Sequence, residues 1–159
     1  MTIRSAAGAA DFETARALFR EYAEWLQVDL SFQGFEAELA ALPGDYAPPR
    51  GRLLLAQEGD QAAGCIALRP IDRETCEMKR LFLRGPFRGI GRGRRLAESI
   101  LTEARAIGYR RIRLDTLPQM GAAHKLYASM GFREIEPYCF NPVPGTRFLE
   151  RELDQGDRA

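Results

Sequence analysis

The chain has 159 residues, with 23 Lys and Arg against 22 Asp and Glu and a formal net charge of +1. That balance argues against a nucleic-acid partner, since dedicated binders carry a marked basic excess. No run approaches the roughly 20 apolar residues that span a bilayer, so no membrane partner is expected either. The length suits a single domain over residues 1–159 with its own core. The three cysteines, Cys65, Cys76 and Cys139, are odd in number and form no CxxC pair. Neither a disulfide framework nor a metal site is expected from them; buried, reduced thiols are. The opening MTIRSAAGAADFE lacks the basic-then-apolar order of a secretory signal, which fits a cytoplasmic protein.

Taken in order, Thr2 to Arg4 reads as a short strand. Asp11 can cap a helix running to Leu26, with Phe12, Ala15, Leu18, Phe19, Tyr22 and Leu26 at helical spacing. Phe32 to Leu42 reads as a second helix, stopped by Pro43-Gly44. Leu53 to Gln57 and Ala62 to Arg69 form a hairpin about Glu58-Gly59-Asp60, and Thr75 to Leu83 is a longer strand. A glycine-dense basic loop, Arg84 to Gly93, leads into an amphipathic helix from Gly91 to Ile107 with Gly108 as its cap. Arg111 to Thr116 alternates as a half-buried strand. Gln119 to Met130 is a short helix closed by Gly131. Phe132 to Ile135 and Arg147 to Leu153 are the last strands, and the tail DQGDRA reads as frayed. The order is α/β with early hairpins, so the sheet should be mixed and mostly antiparallel, flanked by helices.

The stretch EMKRLFLRGPFRGIGRGRRL, Glu77 to Leu96, carries the functional signal. A strand, a glycine loop and a helix N-terminus in that order can hold phosphate, because loop N–H groups and the helix dipole converge on an anion. A Walker loop would need Gly-Lys-Ser/Thr, which is absent. A dinucleotide fingerprint counted from Gly89 meets Arg94 where its last glycine belongs, and it lies mid-chain after a hairpin. The pattern Arg/Gln-x-x-Gly-x-Gly/Ala is satisfied by Arg88, Gly91 and Gly93. Downstream, Ala123-x-x-Leu126-Tyr127-x-x-x-Gly131-Phe132 forms a second motif.

On these two motifs and the element order from Thr2 to about Leu153, the chain resembles the GCN5-related N-acetyltransferase (GNAT) superfamily. The resemblance implies a sheet splayed between the fourth and fifth strands. It implies an enzyme that moves the acetyl group of acetyl-CoA to a primary amine of a small molecule or peptide, by direct attack in a ternary complex. Arg88, Gly89, Ile90, Gly91, Arg92, Gly93 and Arg94 would hold the pyrophosphate. The main chain of Leu81, Phe82 and Leu83 would carry the pantetheine arm. Tyr127 would lie against the sulfur and reprotonate the leaving thiolate, and Glu77 would be the base for the amine. The asparagine that often opens the tyrosine helix is replaced by Met120. His124, the only histidine, is expected to be structural. Members of the family are often dimers, so a homodimer is among the assemblies implied.

On the acceptor side, Glu21, Tyr22 and Trp25 offer an anion and two aromatic faces to a cationic amine. Tyr138 and Asn141 lie in a loop stiffened by Pro142 and Pro144. Arg69 and Arg80 offer guanidinium groups for a substrate carboxylate, which would make the acceptor an amino acid or a related small amine. A non-catalytic acyl-CoA sensor is the alternative from another class. An RNA-binding module is disfavoured, because only Phe82 and Phe87 interleave the basic segment from Arg80 to Arg95.

Overall fold

The computed structural model describes residues 1–153; the frayed tail expected beyond Leu153 lies outside them. Strands β1 (Thr2–Ser5), β2 (Arg52–Glu58), β3 (Gln61–Pro70), β4 (Thr75–Leu83), β5 (Arg111–Thr116), β6 (Arg133–Ile135) and β7 (Arg147–Glu152) form one sheet in the order β1-β2-β3-β4-β5-β7-β6. Only β4 and β5 pair in parallel; the other neighbours are antiparallel. The helices are α1 (Gly8–Leu26), α2 (Phe35–Ala41), α3 (Arg92–Ile107) and α4 (Gly121–Ser129). None of them is long and apolar enough to cross a membrane.

Both faces of the sheet are covered, which is why β2 reads as a nearly continuous apolar run. Leu53 and Leu55 pack under α1 and α2 with Leu18, Phe19, Phe35 and Leu39. Leu54 and Ala56, the alternate positions, pack under α3 with Leu96, Ile100 and Ala104. Helix α1 begins a turn earlier than Asp11 would set it. The Asp11 carboxylate instead accepts from the Ala7 N–H at 2.8 Å and pairs with Arg4, so it serves the first turn from inside the helix. The expected helix from Phe32 to Leu42 is split: a 3-10 turn covers Leu30–Gln33, and Gly34 at φ 68° separates it from α2.

Two irregularities of β4 shape the middle of the sheet. The parallel ladder with β5 covers only Thr75–Glu77 against Arg111–Arg113, so the strands part beyond it. On the other side, the register with β3 shifts between Cys65↔Phe82 and Ala67↔Lys79. The extra residue lies at Arg80-Leu81, and Arg80 has φ 62°, in the left-handed region. Strict alternation would send Arg80 into the apolar layer beneath α3, beside Met78. The bulge turns it to the other face, where Nε and NH2 meet the Glu38 carboxylate at 3.0 and 2.8 Å and the guanidinium lies 5.2 Å from the Phe35 ring. Leu81 then joins the layer under α3 and Phe82 the layer under α1.

The Arg80–Glu38 pair is buried, whereas Arg20–Glu36 on the same helix is exposed at 55% and 74%. Removing one member of a buried pair leaves an uncompensated charge. Glu38→Ala should therefore lower unfolding free energy by about 3 kcal/mol. Glu36→Ala should cost less than about 1 kcal/mol. Urea unfolding midpoints of the two variants check the contrast.

Candidate active site

The parting of β4 from β5 opens a cleft, and two cavities lie along it. The larger, about 290 Å³, is lined by Leu81, Phe82 and Leu83 of β4, by the loop and first turn at Arg88, Gly89 and Gly93, and by Ala123, Leu126 and Tyr127 of α4. The smaller, about 40 Å³, lies on the α1–α2 side among Tyr22, Gln33, Lys79, Arg80, Asp115 and Asn141. Leu81, Met120 and Tyr127 line both. Met120, at the position where an asparagine was awaited, thus stands where the cavities meet, with its sulfur 3.8 Å from the Thr116 hydroxyl.

At the outer end of the larger cavity, Gly89, Ile90 and Gly91 all have positive φ, 90°, 48° and 78°. A β-branched residue in that region is strained, and Ile90 is also 85% exposed, so no packing compensates it. Consecutive left-handed residues turn their N–H groups toward one side. Among the described residues, the N–H groups of Gly89, Ile90, Gly91, Gly93 and Arg94 have no acceptor, while those of Arg92 and Arg95 bond back to Gly89 and Gly91. These free donors at a helix N-terminus form a concave anion seat. The arginine side chains contribute less than their number promises. Arg92 is bound to Glu58, with NH2 to Oε1 at 2.9 Å. Arg94 reaches the Ser129 hydroxyl at 2.9 Å and Glu98 at 3.4 Å. Arg88 folds back, with Nε on the Leu83 carbonyl at 2.8 Å.

Tyr127 is 5% exposed and its ring packs 5.6 Å from Phe132. Its hydroxyl has no hydrogen-bond partner among the described residues. Burial raises the pKa of this phenol, with smaller contributions from Tyr22 and Asp115. His124, on the same helix, has Nε2 2.9 Å from the Leu117 carbonyl and serves to tie the turn before α4.

Several residues expected at the acceptor are committed elsewhere. Glu21 is held by Arg84, whose Nε and NH2 lie at 2.8 and 2.7 Å, and lines neither cavity. Trp25 lines the larger cavity rather than the smaller, with the Arg88 guanidinium 4.6 Å from its ring centroid. Arg69 donates to Glu77 Oε1 at 2.8 Å, and Arg80 is spent on Glu38. Tyr22 and Asn141 do line the smaller cavity, Tyr22 edge-on to Phe82. Burial pushes the Tyr22 phenol up to about 12.

Glu77 is 2% exposed and stands outside both cavity walls. Arg69 holds one of its oxygens and the Tyr138 hydroxyl donates to the other at 2.6 Å. Tyr138 lines neither cavity; burial and the adjacent Glu77 charge push its pKa far up. The carboxylate that does face the smaller cavity is Asp115, on the end of β5 that has parted from β4 and pairs only with β7. Its Oδ2 accepts from Asn141 Nδ2 at 3.0 Å. Sequence reasoning passed over Asp115 and Lys79. The alternation Arg-Ile-Arg-Leu-Asp had already placed Asp115 on the same face as Arg113, opposite the apolar Ile112 and Leu114.

A split parallel pair, free N–H groups at a helix start and a tyrosine between two cavities make an arrangement that can accommodate an acyl carrier with a phosphate-bearing tail. The family model described as "Acetyltransferase (GNAT) family" matches residues 15–132. An uncharacterised N-acetyltransferase of Schizosaccharomyces pombe is 37% identical over 147 residues, covering 91% of this chain and 90% of its own. An acetyltransferase of Streptococcus agalactiae has the same fold, with a TM-score of 0.79 at 24% identity, over 96% of this chain and 98% of its own. A GNAT acetyltransferase of Elizabethkingia anophelis, solved with acetyl-CoA bound, is 26% identical with a TM-score of 0.56, over 65% of this chain and 76% of its own. The chain belongs to the GNAT family. It is an acyl-CoA-dependent N-acetyltransferase, and acetyl-CoA is its co-substrate.

The placement of Trp25 is open to test. If it braces Arg88 on the donor side, Trp25→Ala should raise the KM for acetyl-CoA about two- to fivefold, the worth of an exposed cation–π contact. The KM of the acceptor amine should stay unchanged. Initial rates with each substrate varied in turn separate the two.

Proposed function

We propose that the protein transfers the acetyl group to a primary amine of a small molecule or peptide, by direct attack within a ternary complex. The observation that carries this reading is the Tyr127 hydroxyl, without a hydrogen-bond partner among the described residues, in the wall shared by the two cavities. A donor thioester lying along β4 and an amine in the smaller cavity would meet at that hydroxyl. The amine nitrogen forms its bond to the carbonyl carbon as the carbon–sulfur bond breaks. Asp115 takes the proton that the nitrogen must lose. Tyr127 gives its proton to the departing thiolate, and a phenol kept protonated by burial suits that task. Main-chain N–H groups of β4 on the parted side are the donors available to the carbonyl oxygen.

Direct transfer is also supported by the cysteines. Cys76 is buried, with Sγ 3.7 Å from the Arg111 carbonyl, and lines neither cavity. Burial raises its pKa and suppresses the thiolate a covalent route would need. In this reading Glu77 is a positioning residue. It clamps Arg69 and Tyr138 and so fixes the start of the 138–143 loop, which carries Asn141 to Asp115.

Tyr127→Phe should lower kcat about 100-fold with the KM for acetyl-CoA unchanged, the usual yield of a positioned acid. Asp115→Asn should cost a similar factor of about 100, whereas Glu77→Gln should cost less than about tenfold. Thiol release measured across amino acids, polyamines and peptide N-termini checks all three. A larger loss in Glu77→Gln than in Asp115→Asn would return the base role to Glu77.

A further inference from the structure

Four charged residues are buried among the described residues: Glu77, Lys79, Arg80 and Glu150. Three have a partner of opposite charge. Glu77 has Arg69, Arg80 has Glu38, and Glu150 has Arg113 and Arg133. Lys79, 6% exposed, has none. Its Nζ meets only the neutral Gln33 Oε1, at 3.2 Å, and it lines the smaller cavity. An ammonium has three donors, so two remain to point elsewhere. Burying such a charge without a counter-ion costs several kcal/mol. Desolvation accordingly lowers the Lys79 pKa, while the nearby charges of Glu77 and Asp115 partly restore it.

Asp115 faces the same cavity and is likewise in no ion pair among the described residues, with Lys79 or any other group. Asn141 and the Cys139 thiol both meet its Oδ2, and Oδ1 has no donor among the described residues. The cavity therefore presents one unmatched positive and one unmatched negative group. The guanidinium groups of Arg69 and Arg80, which the sequence offers for a carboxylate, are both already matched.

We propose that the acceptor is an amino-carboxylate, an amino acid or close relative, whose carboxylate is held by Lys79 while its amino group sits at Asp115. The proposal rests on the amine-acetylation reading above and narrows it. One ammonium with two spare donors matches a singly charged, planar carboxylate. A doubly charged phosphate would leave excess negative charge in a cavity of about 40 Å³. Lys79 is here a specificity residue: it touches the acceptor and leaves the donor untouched.

The test compares matched acceptors: an amino acid, its amide and its decarboxylated amine, in series across side-chain types. In the wild type, thiol release should show kcat/KM about 10- to 100-fold higher for the carboxylate member of a set, the worth of a charge-assisted hydrogen bond. Lys79→Met should abolish that preference through the acceptor KM, with the KM for acetyl-CoA unchanged. Calorimetric titration of the same compounds into CoA-saturated protein should show the same carboxylate dependence. Equal or better turnover of decarboxylated amines by the wild type overturns the inference and leaves amine acetylation standing. So does a preference that survives in Lys79→Met. Absence of turnover with every amine overturns the acetylation reading. In that event carboxylate-dependent binding, lost in Lys79→Met, still supports the subsite, and its absence overturns that as well.

Discussion

One extra residue in β4 governs the architecture of the site. An arginine in the middle of an apolar strand has to find an anion, and strict alternation would deny it one. The bulge at Arg80 resolves the conflict by rotating the side chain onto Glu38 of α2. From that rotation follows the packing of Leu81 and Phe82 on opposite faces. The ladder to β5 ends at Glu77, and the cleft begins where it ends.

The cleft has two different electrostatic ends. At the end by the glycine loop, any attraction for an anion would come from backbone N–H groups over Gly89 to Arg94, while the surrounding arginines are neutralised or folded away. At the other end the charges belong to side chains, and Lys79 and Asp115 are left unmatched among the described residues. Side-chain charges are the part a single substitution can change.

Much of the fold was legible because it rests on local periodicity. The apolar run inside β2, the alternating β5 and the amphipathic α3 each declare themselves. The glycine loop was legible too, since left-handed φ at Gly89 and Gly91 is what glycine supplies. Ile90 was not, because nothing in its chemistry favours φ 48°. The acceptor side was read less well. Glu21, Arg69 and Arg80 look like free charges until the tertiary fold supplies Arg84, Glu77 and Glu38 as partners. Whether a charge is spent depends on residues far away in sequence, and periodicity carries no record of that. The adjacent pair Lys79-Arg80 inside an apolar strand was the one local sign of the bulge.

The walls of the two cavities differ in what they are made of. The larger cavity is built mainly on β4, α3 and α4, elements tied into the central core. The smaller cavity adds to β4 and β5 an edge of irregular chain: the turn Leu30–Gln33, with Gln33 reaching Lys79, and the 138–143 loop, with Asn141 reaching Asp115. Insertions and substitutions in those two stretches disturb few backbone ladders. Those two segments can vary at the edge of the smaller cavity, whereas its charged groups, Lys79 and Asp115, stand on the central strands β4 and β5 and change only with the sheet's own sequence.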